Sequence, residues 1–327
     1  MTNFQRLRSF AAIALAGVFL TPDSQAADAA LKEIKLDFAY YSPPSLVVKK
    51  MGWLEEAFKE QATEVKWVFT RGSNNSLEFL NSGASNFALT SSVSSFVARA
   101  NGQPVKVIYN YSWAEPSTVE VLASSPIQSI AELKGKKVAV TKGTDPYFYL
   151  LRALGENSLS LQDVDIVHLQ HPEGKVALEQ GRVDAWVGID PHLAAAKVSG
   201  TRTIYSNPNF ALGAVLNTNE AFLKSNPEAV KTVVAAYERA RKWIIDNPQA
   251  VVDLVAAETE LSKEVTEKQI GRIDFSRSVP GNYNTQAIAP VVPLLEEAGI
   301  LRKRANAQEA LSTLVDAGPA TAVVNGQ

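Results

Sequence analysis

The sequence contains no cysteine. That absence excludes a disulfide framework, a thiolate nucleophile, an iron–sulfur cluster and a thiolate zinc site together. Histidine is nearly as scarce, with only His168, His171 and His192. His168 and His171 form H-x-x-H, but at a strand end the two rings do not face one metal as they would on a helix, so neither metal nor cofactor is expected. Net charge is also missing: 32 basic against 34 acidic side chains leave −2, without the basic stripe of a nucleic-acid partner. No P-loop, G-x-G-x-x-G or G-x-S-x-G occurs. These absences disfavour catalysis and favour binding.

The N-terminus carries a clear signal. Arg6 and Arg8 precede the apolar run 10–20, Pro22 follows, and Ser24-Gln25-Ala26 places small residues at −3 and −1. A positive start, a short apolar stretch and an A-x-A-like site predict a cleavable signal peptide over 1–26. A membrane anchor would need about 20 apolar residues. With no cysteine at the cleavage point there is no lipid attachment, so a soluble, periplasmic, monomeric protein is expected.

The whole chain, 327 residues and 46% hydrophobic, is long enough for two domains beyond that segment. It repeats a strand–loop–helix unit. The strand 34–40 leads to Tyr41-Ser42-Pro43 and a helix reaching Gly52; the strand 137–141 leads to Gly143-Thr144-Asp145-Pro146 and a helix reaching Gly155. Both pairs, Pro43/Pro146 and Gly52/Gly155, are 103 positions apart. A second unit runs from the strand 65–69 through Gly83 to the strand 87–90, and again from 164–169 through Gly181 to 185–189. Alternating strands and helices of this kind predict α/β architecture with mostly parallel sheets. Two copies predict two α/β lobes joined by a two-strand hinge, the extended stretches 119–123 and 210–216 being the crossings. Lobe 1 is expected over 27–122 and 214–327, with lobe 2, 123–213, inserted into it. Helices are expected from Pro227 to about Asp246, from Pro248 onward, and near 263–272, 285–299 and 306–316, with a frayed end over 318–327.

Ligands of open α/β sheets bind beyond the carboxyl ends of the strands. The loops at those ends therefore supply the candidate ligand-binding residues. Lobe 1 offers Tyr41 and Ser42, the polar turn Gly72, Ser73 and Asn74, and the hydroxyls Ser91 and Ser92. Lobe 2 offers Gly143, Thr144 and Asp145, with Trp186 and Asp190. Ser42 and Asp145 precede helices as caps. Trp113 and Glu115 stand just before the hinge, where Glu115 is placed to meet a hydroxyl or ammonium. Each feature alone reads as an ordinary cap, turn or core residue. Their convergence on strand ends of both lobes describes a polar, mostly neutral cleft with helix starts aimed inward, which suits a small oxyanion.

Three stretches carry a family resemblance. The segment 125–139, reading SPIQSIAELKGKKVA, resembles a stretch of the aliphatic-sulfonate-binding proteins of ABC importers. Lys142-Gly143-Thr144 with the following LLRAL, and QGRVDAW leading to Asp190-Pro191, are similar to the same family. The resemblance implies a type II periplasmic binding protein that takes a small organic anion, a sulfonate, to an ABC permease in the inner membrane. Asp145-Pro146 departs from the family pattern. Alternatives that stay open are a nitrate or taurine binder, or an enzyme of lyase or thiamine-precursor type on the same two-lobed fold.

Overall fold

A computed structural model describes residues 31–114 and 117–326. The expected signal peptide and Glu115 lie outside them. Along the described chain run the strands β1 (Glu33–Phe38), β2 (Glu64–Phe69), β3 (Phe87–Ser91), β4 (Val105–Ala114), β5 (Thr118–Leu122), β6 (Lys137–Val140), β7 (Asp165–His168), β8 (Ala185–Gly188), β9 (Thr201–Tyr205), β10 (Gly213–Asn219) and β11 (Ile273–Asp274).

They form two lobes, as expected. In the first, β1 and β2 pair in parallel from Glu33 opposite Glu64 to Phe38 opposite Phe69. A second ladder runs β11-β4-β10-β3. Side chains help to join the two: Asn86 Oδ1 accepts the Lys35 N–H at 2.8 Å and Asp37 accepts the Leu89 N–H at 3.0 Å. The second lobe is one sheet, β7-β6-β8-β5-β9. Laying β2, β1, β3, β10, β4 on β7, β6, β8, β5, β9 superposes the orders. In each lobe the fourth strand, β10 or β5, runs antiparallel to both neighbours.

That pairing corrects the expected boundary. Thr118–Leu122 pairs with β8 and β9 and so belongs to the second sheet, not to lobe 1. Each lobe receives its fourth strand from chain arriving from the other. The outgoing crossing therefore lies between β4 and β5, and the return between β9 and β10.

The repeated prolines start the helices Pro43–Met51 and Asp145–Glu156, where the missing N–H costs nothing. Gly52 and Gly83 end helices at φ of 65° and 74°, a region that favours glycine. Gly155 differs from its counterpart. It lies inside its helix, its Cα edge facing Leu294, and the helix runs on to Glu156. The C-terminal residues are not frayed: Gly318–Val324 is a helix whose Ala320 is fully buried in the core that includes the helix Pro227–Asp246.

Lobe 1 buries Ile34, Leu36, Leu89, Tyr109 and Tyr237 together. Lobe 2 has a core on each face of its sheet, so β8 sends Ala185 and Val187 one way and Trp186 the other. Burial on both faces is what parallel strands require. Trp186, expected in the cleft, is 1% exposed and lies in this rear core with Ala139, Leu178 and Leu193. Its ring lies along the strand over Gly188, where an added Cβ would sit 1.9 Å from Cζ2. Gly188→Ala is expected to lower unfolding stability by about 1–3 kcal/mol, as overpacking does. Adding Trp186→Phe should recover part of that loss in urea unfolding, and strictly additive losses would contradict the packing.

Candidate functional site

Between the lobes lies a cavity of about 90 Å³. Its polar wall is a set of hydroxyls: Ser73, Thr90, Ser91 and Ser112 from lobe 1, Ser117 at the crossing and Thr144 from lobe 2. Tyr41, Tyr111, Ile189, Leu193 and Leu212 supply the apolar wall. Charge enters with Asp145, Asp190 and Arg272. Three helices begin beside it, Ser73–Ser82, Ser92–Ala100 and Asp145–Glu156. Helix starts expose N–H groups and partial positive charge, which favour an anion.

The hydroxyl hydrogens are not equally available, because each hydroxyl has only one to give. Thr144 donates to the Thr141 carbonyl at 2.6 Å, so it offers lone pairs only. Thr90 and Ser95 face each other at 2.6 Å, while Ser95 donates to Asn217 at 2.8 Å. Ser73 accepts from the Ser91 N–H at 3.1 Å and keeps its own hydrogen for the cavity. Ser91 accepts from the Ser94 N–H at 3.3 Å, capping its helix.

The floor is set by a buried carboxyl. Asp37, fully buried, accepts from Ser76 at 2.6 Å and Thr70 at 3.2 Å. The Tyr41 hydroxyl reaches down to this group, donating to the Leu89 carbonyl at 2.9 Å. Tyr41 therefore presents its ring to the cavity, not its hydroxyl. Burial pushes Asp37 up to about 6 despite those donors.

The lobes touch across the cleft. Ser94 donates to the Gly143 carbonyl at 3.1 Å, and Arg71 pairs with Glu173. Arg272 Nε lies 3.3 Å from Asp190, whose other oxygen accepts the Ala194 N–H at 2.9 Å. Gly72 stands where a Cβ would be 3.2 Å from both His171 and Thr144, so the contact needs its small size. It is closeness, not conformation, that selects glycine here.

Of the sequence-stated candidates, the cavity brings together Tyr41, Ser73, Ser91, Thr144, Asp145 and Asp190. Gly72, Asn74 and Gly143 lie at the neighbouring lobe contact, the Asn74 Cβ being 3.7 Å from where a Gly143 Cβ would stand. Ser42 and Ser92 are fully buried behind the wall. Trp113 sits at the crossing, 5.5 Å from the Tyr283 ring and under Arg277. Asp145 is the first residue of its helix and Thr144 the cap position, one residue earlier than expected. The cleft is also less neutral than expected, because Arg272 reaches it from the helical C-terminal segment, which contributes the uncharged Gln269 as well. That segment has no counterpart in the repeat, so nothing in the repeat signalled them.

Residues 40–251, well over half of the chain, match the NMT1/THI5 like family. The chain belongs to the NMT1/THI5-like family. A family relative from Bacillus subtilis (strain 168), named as an aliphatic sulfonates-binding protein, is 29% identical over 246 residues, 72% of this chain and 73% of that protein. One of the same name from Escherichia coli (strain K12) is 29% identical over 232 residues, 69% of each chain. The alkanesulfonate-binding protein SsuA from Xanthomonas axonopodis pv. citri superposes with a TM-score of 0.78 at 22% identity, covering 88% of this chain and 99% of that one. The superposition shows the fold: two α/β lobes of the periplasmic binding protein type.

Asp145 gives the site a pH signature. Burial raises its carboxyl from the ordinary 3.8 to about 7, against the pull of Arg152 and Ser117. A carboxyl whose folded value is raised favours folding in its neutral form. Its contribution is therefore full below about pH 4 and lost as pH rises to about 7. His171 and His192, held by burial at about 3 and about 4, act in the opposite sense and weaken folding in acid. Asp145→Asn isolates the first effect. Without ligand, its stability relative to the parent should rise by at most about 4 kcal/mol between pH 4 and 8, read by thermal melting. A constant difference across that range would contradict the burial.

Proposed function

We propose that this protein is a periplasmic solute-binding protein that captures an aliphatic sulfonate between its lobes and hands it, as a monomer, to an ABC permease. The observation that carries the reading is the interlobe cavity edged by hydroxyls and three helix starts. A sulfonate remains anionic at any physiological pH, so its recognition needs donors and no proton transfer. The Ser73 hydroxyl is such a donor, and so are the first N–H groups of the helices that begin at Ser73 and Ser92. In the third helix Pro146 has no N–H and the Tyr147 N–H is given to the Thr144 carbonyl at 3.0 Å. Micromolar affinity needs only about −8 kcal/mol, within reach of several hydrogen bonds to a charged group. The names of the family relatives support the same ligand class and a binding role.

Carboxylates in the cavity do not oppose this. Asp190 is offset by Arg272 and accepts the Ala194 N–H in the first turn of the helix His192–Val198. Asp145, raised to about 7, is neutral over much of the physiological range and becomes a donor in that form. No helix among the described residues is long and apolar enough to cross a membrane.

Thermal shifts with methanesulfonate, taurine, nitrate and sulfate test the ligand class, since a ligand of the native state raises the melting temperature. Methanesulfonate should stabilise, and a shift produced by a pyrimidine instead would overturn the assignment. Ser73→Ala should weaken methanesulfonate binding about 10-fold, the loss of one hydrogen bond to a charged group. Affinity for a sulfonate without an amino group should fall as pH rises from 7 to 9, because losing the Asp145 proton sets a negative charge against the ligand. Asp145→Asn should flatten that profile. An affinity that rises with pH would count against the proposed head-group site.

A further inference from the structure

A second cavity, of about 180 Å³, lies beside the first and shares Tyr41, Ile189 and Asp190 with it. Its walls differ in chemistry. Tyr40 and Phe69 form one side, their rings 4.8 Å apart, and Phe69 packs onward against Phe38 at 5.3 Å. Pro172, Pro191 and the imidazoles of His171 and His192 form the other. Burial holds both imidazoles far below their ordinary range, so they are neutral at physiological pH. The cation at the edge, Arg71, pairs with Glu173 of the opposite lobe. Hydroxyls edge the first cavity; rings and prolines edge the second.

The wall residues shared by the two cavities come from both lobes. Tyr41 follows β1 in lobe 1, whereas Ile189 and Asp190 follow β8 in lobe 2. Parting the lobes therefore parts this wall, and a ligand longer than the first cavity has a way across it. Size agrees with the chemistry, since an apolar cavity of about 150 Å³ holds a benzene molecule. Phe69 is 42% exposed, an apolar surface left unburied at the edge of the second cavity.

Resting on the sulfonate reading, we propose that this second cavity is the tail site: it takes the apolar, preferentially aryl, substituent of the organosulfonate whose head group occupies the first. The protein then selects for arylsulfonates and long-chain sulfonates over methanesulfonate and taurine. Phe69 and Tyr40 set that preference without touching the head group.

Calorimetric titration of the purified protein with methanesulfonate and benzenesulfonate tests this. Benzenesulfonate should bind at least about tenfold more tightly, as transfer of a ring from water to an apolar wall implies. Phe69→Ala and Tyr40→Ala should each remove most of that ratio and leave methanesulfonate affinity within about twofold. Methanesulfonate binding also shows that each variant is folded. Equal affinities in the parent, or equal loss of both ligands in the variants, would overturn the tail site while leaving the sulfonate reading intact. Binding of neither anion to the parent would overturn the sulfonate reading, and the tail site with it.

Discussion

Everything in this molecule depends on how the fourth strand of each sheet is supplied. β5 completes the second sheet with chain that has just left the first, and β10 completes the first with chain returning from the second. Each of these strands is hydrogen-bonded on both sides, so neither can be withdrawn without opening a sheet centre. The lobes are therefore tied at two neighbouring points and free to rotate only about them. A cleft opposite the tie, faced by the carboxyl ends of β1, β3, β6 and β8, is the consequence. Contacts across it, such as Ser94 to Gly143 and Arg272 to Asp190, close the described form.

Electrostatics explains how the proposed site can hold an anion although Arg272, at the cavity wall, faces Asp190. Helix starts and hydroxyls supply partial charges already oriented by the fold, so little is reorganised on binding. The carboxyls nearby are managed individually. Asp37 is buried under three donors and supports Tyr41 from below. Asp190 is spent on a helix start and on Arg272. Asp145 alone faces the cavity with its proton in play at neutral pH. The same residue thus links folding stability to pH and, in the proposed site, ligand affinity to pH as well.

The duplication was legible because proline marks both helix starts by its fixed backbone geometry and Gly52 and Gly83 mark helix ends, although Gly155 lies inside its helix. Pro43 and Pro146 locate two cleft loops directly, the second giving Thr144 and Asp145, while Ser73, Ser91 and Asp190 follow from the ends of other strands. What depends on side-chain direction was less legible. Trp186 and Val187 are adjacent, yet alternate faces of one strand, and only packing shows that the tryptophan faces away from the cleft. Stretch 119–123 was readable as extended but not by which sheet claimed it, since an apolar strand carries no label of its partner. Arg272 and Gln269 come from the C-terminal helices, where long-range folding alone brings them to the cavity. Thr144 was found for its hydroxyl, although that hydrogen is already given to Thr141.

A crystal structure of the protein grown with an alkanesulfonate tests the central claim most directly. The account predicts the sulfonate group between the lobes, its oxygens within hydrogen-bond distance of Ser73 and of the helix starts at Ser92 and Asp145. A ligand bound on one lobe alone, or with its sulfonate directed away from those helix starts, would contradict it.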